Sequence, residues 1–209
     1  RVSVNGQTVT HLGTCVEAGD TVAFDGKMLK KAAKRVYIML YKPDKVVSTA
    51  HDPEGRTTVL DLVDVKERLY PVGRLDYHTE GLILLVNDGE AAYHLTHPKY
   101  EIEKEYLVTI AGRIEKEEIL RLEAGVMLDG RKTAPSKIKV TDVTDHTTSL
   151  SIILHEGRNR QVRKMLESLG KKVLHLTRMR HGELLLAGLE KGQWRYLTKE
   201  ETAYIESLG

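Results

Sequence analysis

An uninterrupted apolar run from Leu82 to Val86 constrains the fold of this chain more than any other part of its sequence. A short run of large aliphatic side chains predicts a buried β-strand. The polar sequence RLDYHTE lies immediately before it, between Gly73 and Gly81. Glycine allows the backbone to turn sharply, so these polar residues are expected to form a loop at the rim of a sheet.

The rest of the chain contains more strand-like than helix-like segments. Residues 1–30 alternate short β-like runs with turns, and longer strand-like segments begin at Tyr37, among them KVVST at residues 45–49. Helical patterns occupy residues 89–96, 115–124, 158–169 and about 199 to the C-terminus. Because strands outnumber helices and hairpin spacings dominate, the sequence predicts an α+β fold with a mixed, mostly antiparallel sheet flanked by helices.

Local signals predict where some of these elements turn or begin. The dipeptides Asn-Gly at residues 5–6 and Asp-Gly at residues 25–26 are typical of hairpin turns. Thr198 precedes Glu201 by three residues, the spacing of a capping box at the start of the last helix. These signals place hairpins in the N-terminal part of the chain and a helix at its C-terminus.

Length and composition predict a globular protein of one or two domains. The 209 residues are 41% hydrophobic and 30% charged, and no apolar run approaches the roughly 20 residues that span a bilayer. The basic segment KKAAKR at residues 30–35 predicts a linker, placed at 31–36 between a small unit at 1–30 and a larger one at 37–209. Cys15 is the only cysteine, which excludes an intramolecular disulfide and agrees with a cytoplasmic location.

Positive charge is concentrated in residues 151–180, which contain eight lysines and arginines but two acids. This window carries a net charge of +6, whereas the whole chain carries +2. A local positive block on a nearly neutral protein indicates a polyanionic partner bound at one place. The alternative is an ordinary solvated helix face.

The helix predicted inside this block carries its apolar and basic residues on different sides. The apolar residues recur at i, i+3, i+4 and i+7, and the basic residues Arg160, Arg163 and Lys164 lie on the opposite or a flanking side. Asn159 lies in the N-terminal turn, where backbone N–H groups attract anions. The pattern therefore predicts three cations and a helix N-terminus on one surface, which favours phosphate binding.

Several stretches together resemble the RsuA/RluB family of bacterial ribosomal RNA pseudouridine synthases. GRLDYHTEGLILLVNDGE is similar to the catalytic stretch of that family, EIEKEYLV to its second motif, and EGRNRQVRKML to its third. The resemblance covers roughly residues 37–207, and its arginine-rich third motif is closer to the large-subunit enzymes. Lys45 departs from the family pattern, which usually has glycine there. Residues 1–30 resemble the rear half of the small alpha-L RNA-binding module.

The resemblance implies the isomerisation of uridine to pseudouridine. In that reaction the C1′–N1 bond breaks, the uracil reorients and C5 bonds to C1′, so neither a redox cofactor nor a metal is required. Asp76 occupies the position of the nucleophile and can attack or deprotonate the ribose or add to the base. By resemblance Arg163 pairs with Asp76, with Arg160 as the next candidate. Tyr106 is implied as the ring that packs against the uracil.

The other site residues are expected to bind RNA. By resemblance, Arg74 fills the gap left by the flipped base, with an ion pair to Asp76 as the alternative. Lys104 shares a sheet face with Tyr106 and is expected to reach the substrate or its phosphate. His78 and Thr79 are expected to shape the loop. The basic segment contributes the remaining candidates, Arg158, Asn159, Arg160, Gln161 and Lys164.

The expected partner is ribosomal RNA, free or in an assembling subunit, with no nucleotide cofactor and no membrane, and nothing in the sequence demands more than a monomer. A non-catalytic RNA-binding or ribosome-assembly protein is the main alternative, but it leaves Asp76 and Tyr106 unexplained. His94 and His97 share a helix face, but a zinc site needs a third ligand and none is evident. A glycosidase-like hydrolase normally needs two carboxylates that flank one bond, and the polar loop is expected to supply only Asp76.

Overall fold

A computed structural model describes residues 1–11, 13–17, 19–29 and 35–209 of the chain. These residues form two compact units, Arg1–Arg35 and Val36–Gly209. The first unit contains only short strands, and the second contains a large sheet and all the α-helices of the described ranges. None of these helices is long and apolar enough to cross a membrane.

The N-terminal unit is a small antiparallel sheet. Its strands are β1 (Val2–Val4), β2 (Gln7–Thr8), β3 (Val22–Phe24) and β4 (Lys27–Met28), in the order β2-β1-β3-β4. Asn5 and Asp25 have φ of 50° and 48°, and each precedes a glycine with positive φ, which confirms both predicted hairpin turns. Residues 30–34, which include most of the predicted linker, lie outside the described residues.

A nine-stranded sheet forms the framework of the second unit. Its strands are β5 (Tyr37–Lys42), β6 (Tyr70–Val72), β7 (Glu80–Val86), β8 (Lys104–Ala111), β11 (Lys137–Val143), β12 (Thr147–Leu154), β13 (Val173–His181), β14 (Leu184–Leu185) and β15 (Trp194–Tyr196). The order is β11-β12-β8-β13-β7-β5-β15, with β14 beside β13 and β6 beside β7. Only β13 and β7 pair in parallel, so the predicted mixed, mostly antiparallel sheet is confirmed. A separate hairpin joins β9 (Met127–Leu128) to β10 (Arg131–Lys132).

Helices cover the sheet near the positions that the sequence predicts. They are α1 (Gly89–Thr96), α2 (Lys116–Glu123), α3 (Gln161–Glu167) and α4 (Lys199–Glu206), with a short 3₁₀ helix at Pro98–Tyr100. The capping box of Thr198 and Glu201 is confirmed at the start of α4. The basic helix is shorter than the predicted 158–169, because Arg160 has the left-handed φ of 53° and a helix cannot continue back through it.

The predicted strand at residues 45–49 is wrong. Only Val47 forms an isolated bridge, to Thr58, and Lys45 turns with a φ of 60°. The backbone leaves the extended conformation there because a left-handed residue breaks the alternation of a strand. Val46 is still buried in the core, so the apolar residues of the segment pack without forming a ladder.

Strand β7 lies at the centre of the core, as its apolar run predicts. Leu82, Leu84 and Val86 pack in one cluster with residues of α1 and α4, whereas Ile83 and Leu85 pack in a second cluster on the other face. All five side chains are fully buried. A third cluster packs α2 and α3 against β8, β12 and β13.

The contact between β7 and β13 depends on the glycine that begins the apolar run. The two strands pair at only two positions, Thr177 with Glu80 and Arg178 with Gly81. A Cβ atom on Gly81 would lie 2.3 Å from the carbonyl oxygen of Arg178 and 2.5 Å from its nitrogen, and the φ of Gly81 is 108°. Only glycine allows the two backbones to approach this closely.

We expect Gly81→Ala to lower the free energy of unfolding by about 3 kcal/mol, because the added methyl group must displace backbone rather than a flexible side chain. Urea unfolding of the full chain measures the change. Gly157→Ala is the control, because a Cβ atom on Gly157 meets nothing within 4 Å. Equal effects of the two substitutions would contradict the close-approach explanation.

Candidate active site

The polar loop between β6 and β7 is anchored first by a serine from the segment after β5. The Ser48 hydroxyl donates to the carbonyl of Leu75 at 2.9 Å and accepts from the N–H of the same residue at 3.1 Å. Within the loop, the N–H of Thr79 donates to the carbonyl of Asp76 at 3.0 Å, which closes a turn. The backbone that carries Asp76 is therefore fixed on both sides of this residue.

Lys45 forms a turn at the position where the resemblance leads us to expect glycine. Its backbone adopts the left-handed conformation, with φ of 60°, that favours glycine. Its N–H donates to the carbonyl of Tyr77 in the polar loop at 2.9 Å. The departure from the family pattern therefore leaves the turn, and its contact with the loop, in place.

Lys42, the last residue of β5, is fully buried and binds the same loop. Its Nζ donates to the carbonyls of Thr79 at 2.8 Å, Pro43 at 3.0 Å and, more weakly, Tyr77 at 3.4 Å. Burial lowers the pKa of Lys42 to about 8, while neighbouring carboxylates, including that of Asp76, act in the opposite direction. The lysine thus places a positive charge beneath the turn that carries Asp76.

Lys42 thus contacts the carbonyls of Tyr77 and Thr79 in the loop, and Arg163 of α3 binds the carbonyl of the residue between them. Its Nη2 donates to the carbonyl of His78 at 2.5 Å. The side chain is buried, and its Nε has no hydrogen-bond partner among the described residues. Burial lowers the pKa of Arg163, the positive charge of Arg160 adds to this effect, and the carboxylate of Asp76 opposes it. Arg163 therefore acts on the loop through a backbone contact and on Asp76 through charge.

A direct ion pair between Arg163 and Asp76 was expected and is not formed. Within the described part of the chain, no carboxylate oxygen lies within the 4.0 Å that defines an ion pair with the Arg163 guanidinium. The reason is that the Nη2 group points to the carbonyl of His78 instead. Arg160, the second candidate for this pairing, lies 4.0 Å from Glu167.

The prediction of three cations on one surface is also wrong. Arg163 is buried against the loop, whereas Lys164 pairs with Asp129 at 2.6 Å. Arg160 lies in the turn before α3 and is exposed. A helical wheel cannot distinguish a flanking side chain that reaches solvent from one that the adjacent loop covers.

A cavity of about 430 Å³ opens beside the loop, within the size range of small-molecule sites. Eight of the ten predicted site residues line it, and the two that do not are Arg163 and Lys164. The eight are Arg74, Asp76, Lys104, Tyr106, Arg158, Asn159, Arg160 and Gln161.

Strand β8 contributes the aromatic wall of the cavity. Tyr106 is partly buried and packs against two of the core clusters, which fixes the position of its ring. Lys104, two residues earlier, faces the same cavity, and its Nζ donates to the carbonyl of Ile102 at 2.7 Å. Burial lowers the pKa of Lys104 to about 8, with a further contribution from the positive charge of Arg178.

The turn before α3 forms another wall and is fixed by its own side chains. Glu156, which the sequence did not single out, accepts a hydrogen bond from the Nε2 of Gln161. The Oε1 of Gln161 in turn accepts from the N–H of Arg158 at 3.0 Å. The Arg158 guanidinium donates to the carbonyl of Arg131 at 3.1 Å, so it braces the β9–β10 hairpin.

Arg74 lines the cavity and is exposed to solvent. Within the described ranges no carboxylate lies within the ion-pair distance of 4.0 Å from its guanidinium, so the alternative ion pair to Asp76 is not formed. His78, two residues after Asp76, lies on the outside of the loop, where its Nδ1 is 3.0 Å from Oδ1 of Asp44.

Three residues important to this geometry were not predicted from the sequence: Lys42, Arg178 and His181. Each is a basic or titratable residue in or at the end of a strand of the large sheet, and each is buried. Only Lys42 carries a signal in the sequence, because it follows the apolar run YIMLY and a buried cation there needs polar partners from elsewhere in the chain.

The two histidines considered as metal ligands make other contacts. His94 is buried and packs edge-on against Tyr100 with ring centroids 4.7 Å apart. The Nδ1 of His97 accepts from the N–H of Lys99 at 3.2 Å. In the ranges that the structure describes, no group of three or more His, Cys, Asp or Glu side chains is arranged to hold a metal ion.

Known proteins share the sequence and the fold that form this cavity. The family model of the RNA pseudouridylate synthases matches residues 36–168. The chain therefore belongs to the RNA pseudouridylate synthase family, and the resemblance to its RsuA/RluB branch is confirmed.

Individual relatives cover almost the whole chain. It is 44% identical over 211 residues to ribosomal large subunit pseudouridine synthase B of Bacillus subtilis (strain 168), a match that covers 100% of this chain and 86% of that protein. An uncharacterized RNA pseudouridine synthase of Aquifex aeolicus (strain VF5) is 39% identical over 208 residues, covering 98% and 83%. A crystal structure of a pseudouridylate synthase superposes with a TM-score of 0.75 at 33% identity, covering 100% and 88%.

We expect the charge of Lys104 to make stability depend on pH. Because its pKa is about 8 in the folded protein and 10.5 ordinarily, the unfolded chain binds more protons between these values. The contribution of Lys104 therefore destabilises below pH 8 and becomes less unfavourable as the pH rises to 10.5. Urea unfolding of wild type and Lys104→Met across this range measures the difference. Lys139→Met, at an exposed position of β11, is the control, and parallel profiles for wild type and Lys104→Met would contradict the expectation.

Proposed function

We propose that this protein isomerises a specific uridine of ribosomal RNA to pseudouridine, in the large subunit, with Asp76 as nucleophile. The observation that carries the proposal is that Asp76, on a loop fixed by buried hydrogen bonds, shares one cavity with the ring of Tyr106. The large-subunit assignment draws support from the name of the Bacillus subtilis relative, ribosomal large subunit pseudouridine synthase B.

The chemistry needs a single carboxylate and a site that retains the free base. The C1′–N1 bond breaks, N1 of the uracil gains a proton, the ring turns, C5 bonds to C1′ and C5 loses its proton. Substrate and product are isomers, so the reaction needs no oxidant, no reductant and no second substrate. The Asp76 carboxylate attacks the nucleotide and is released when the C5–C1′ bond is complete.

The residues around Asp76 take complementary parts in this proposal. The positive charges of Arg163 and Lys42 interact with the Asp76 carboxylate and hold it over the buried loop. The Tyr106 ring gives the detached uracil a flat surface on which to turn. Arg74, which lines the cavity and is exposed to solvent, occupies the space that the flipped nucleotide leaves in the RNA.

The RNA around the target uridine is proposed to lie along the positively charged turn before α3. Arg158, Asn159, Arg160 and Gln161 line this side of the cavity. Lys164 lies outside the cavity, paired with Asp129, and is assigned to the RNA further from the target. We further propose that the N-terminal unit is a partial alpha-L module that adds RNA contacts. The protein would act as a monomer in the cytoplasm, on free RNA or an assembling subunit.

The proposal is tested by mapping pseudouridine in ribosomal RNA with carbodiimide and primer extension. We expect one or more stops to disappear when the gene is deleted and to return with the wild-type gene. Asp76→Asn should not restore them, because the amide is a poor nucleophile of nearly the same size. Asp142→Asn, at an exposed position of β11, is the control and should restore the stops.

Two outcomes would contradict the proposal in different ways. An unchanged map after deletion would remove ribosomal RNA as the substrate and favour a non-catalytic RNA-binding protein. Stops restored by Asp76→Asn would retain the activity but remove Asp76 from the role of nucleophile. Gel-shift binding of the RNA by Asp76→Asn separates lost chemistry from lost binding.

A further inference from the structure

The floor of the cavity contains three basic or titratable side chains that the proposed reaction does not yet use. Arg178 and His181 lie on β13 and Lys104 lies on the neighbouring β8. Only 3% of Arg178 and 1% of His181 are exposed, and all three residues line the cavity. Polar groups buried so deeply normally have partners.

A bulge in β13 brings these side chains to the same face as the ring of Tyr106. Arg178 pairs with Tyr106 and His181 pairs with Lys104, with a register shift between Arg178 and Arg180. In a regular strand, residues 178 and 181 would point to opposite faces of the sheet. The shift adds one residue to β13, so both side chains face the cavity.

Arg178 and His181 each have one side-chain nitrogen that makes a hydrogen bond and one that makes none to the described residues. The Nε of Arg178 donates to the carbonyl of Leu82 at 2.8 Å, and the Nε2 of His181 lies 3.0 Å from the carbonyl oxygen of Leu95. Among the described residues, the Nη2 of Arg178 and the Nδ1 of His181 have no hydrogen-bond partner. Both atoms belong to residues that line one cavity, and buried polar atoms without partners at such a place point to a polar ligand.

The protonation of His181 follows from its contacts. A carbonyl oxygen can only accept, so Nε2 carries the proton that binds Leu95. Burial, together with the positive charges of Arg178 and Lys104, lowers the pKa of His181 well below its ordinary value. The imidazole is therefore neutral, and its Nδ1 is a hydrogen-bond acceptor.

Together the three side chains offer one acceptor and two donors. The acceptor is the Nδ1 of His181, and one donor is the Nη2 of Arg178. The Nζ of Lys104 is the second donor, because it spends one of its three hydrogens on the carbonyl of Ile102. The edge of uracil has the complementary pattern, with the N3–H donor between the O2 and O4 acceptors.

We propose that His181 accepts the N3–H of the target uracil while Arg178 and Lys104 donate to its two carbonyl oxygens. The inference rests on the proposed function and names the residues that select the base. Cytosine presents an amino group in place of O4 and an unprotonated N3, so it would face Nδ1 with a second acceptor. A site built in this way rejects the wrong base through unpaired buried groups.

The same arrangement suits the reorientation step. Exchanging N1 and C5 amounts to a half-turn of the uracil about the line through N3 and C6. This half-turn leaves N3–H in place and exchanges O2 with O4. One acceptor at N3–H and a donor for each carbonyl therefore bind the base equally well before and after the turn, and His181 serves as the pivot.

Two substitutions at His181 isolate its acceptor. His181→Asn keeps an acceptor oxygen at the position of Nδ1, whereas His181→Leu has a methyl group there, and both lose the bond to Leu95. On a short synthetic RNA that contains the uridine located by mapping, we expect His181→Leu to lower kcat/KM about 10- to 100-fold and His181→Asn about threefold or less. His175→Leu, at an exposed position of the same strand, should leave kcat/KM unchanged.

A modified substrate distinguishes a role of His181 in base recognition from a merely structural role. RNA with 3-methyluridine at the target position lacks the N3–H donor. The preference is the ratio of kcat/KM for uridine to kcat/KM for 3-methyluridine. We expect this ratio to be at least about 10-fold lower in His181→Leu than in wild type. Equal losses in the two variants with an unchanged preference would overturn the inference. No pseudouridine from wild type on the unmethylated RNA would instead overturn the proposed function.

Discussion

Two buried cations bind three successive carbonyl groups of the loop that carries Asp76, and the rest of the site depends on this contact. Lys42 binds the carbonyls of residues 77 and 79, and Arg163 binds that of residue 78. Buried carbonyls need donors and buried cations need acceptors, so each satisfies the other. Because the cations come from β5 and α3, the loop conformation depends on the packing of two distant parts of the chain.

The candidate site lies where β7 begins, at a point that packing holds in place. The apolar residues of β7 fill the core on both faces, so the strand cannot move, and Gly81 at its start lets β13 approach. The approach of β13 places Arg178 beside Tyr106, and its bulge turns His181 to the same side. The loop that carries Asp76 and the floor that would bind the base are therefore fixed by one crossing of two strands.

The sequence allowed the fold to be predicted where short-range patterns decide it, as in β7, α1 and the two Asn-Gly and Asp-Gly hairpins. It also predicted that Asp76 and Tyr106 belong together, through the motifs of the family. The roles of Lys42 and His181 were missed, because burial of a single polar residue depends on carbonyls and on a bulge formed by remote segments. Arg163 was expected to pair with the carboxylate of Asp76, but its hydrogen-bond partner is the backbone carbonyl of His78, which no residue pattern encodes.

Hydrogen–deuterium exchange of Lys42→Met tests most directly whether the buried cations hold the loop. The N–H of Lys45 donates to Tyr77 and that of Thr79 donates to Asp76, so both amides report on the loop. We expect these amides to exchange at least about 10-fold faster in Lys42→Met than in wild type, whereas the amides of β12 should exchange at the same rate. Lys66→Met, at an exposed position, is the control variant. Unchanged protection of the two amides, or faster exchange throughout the sheet, would contradict the account.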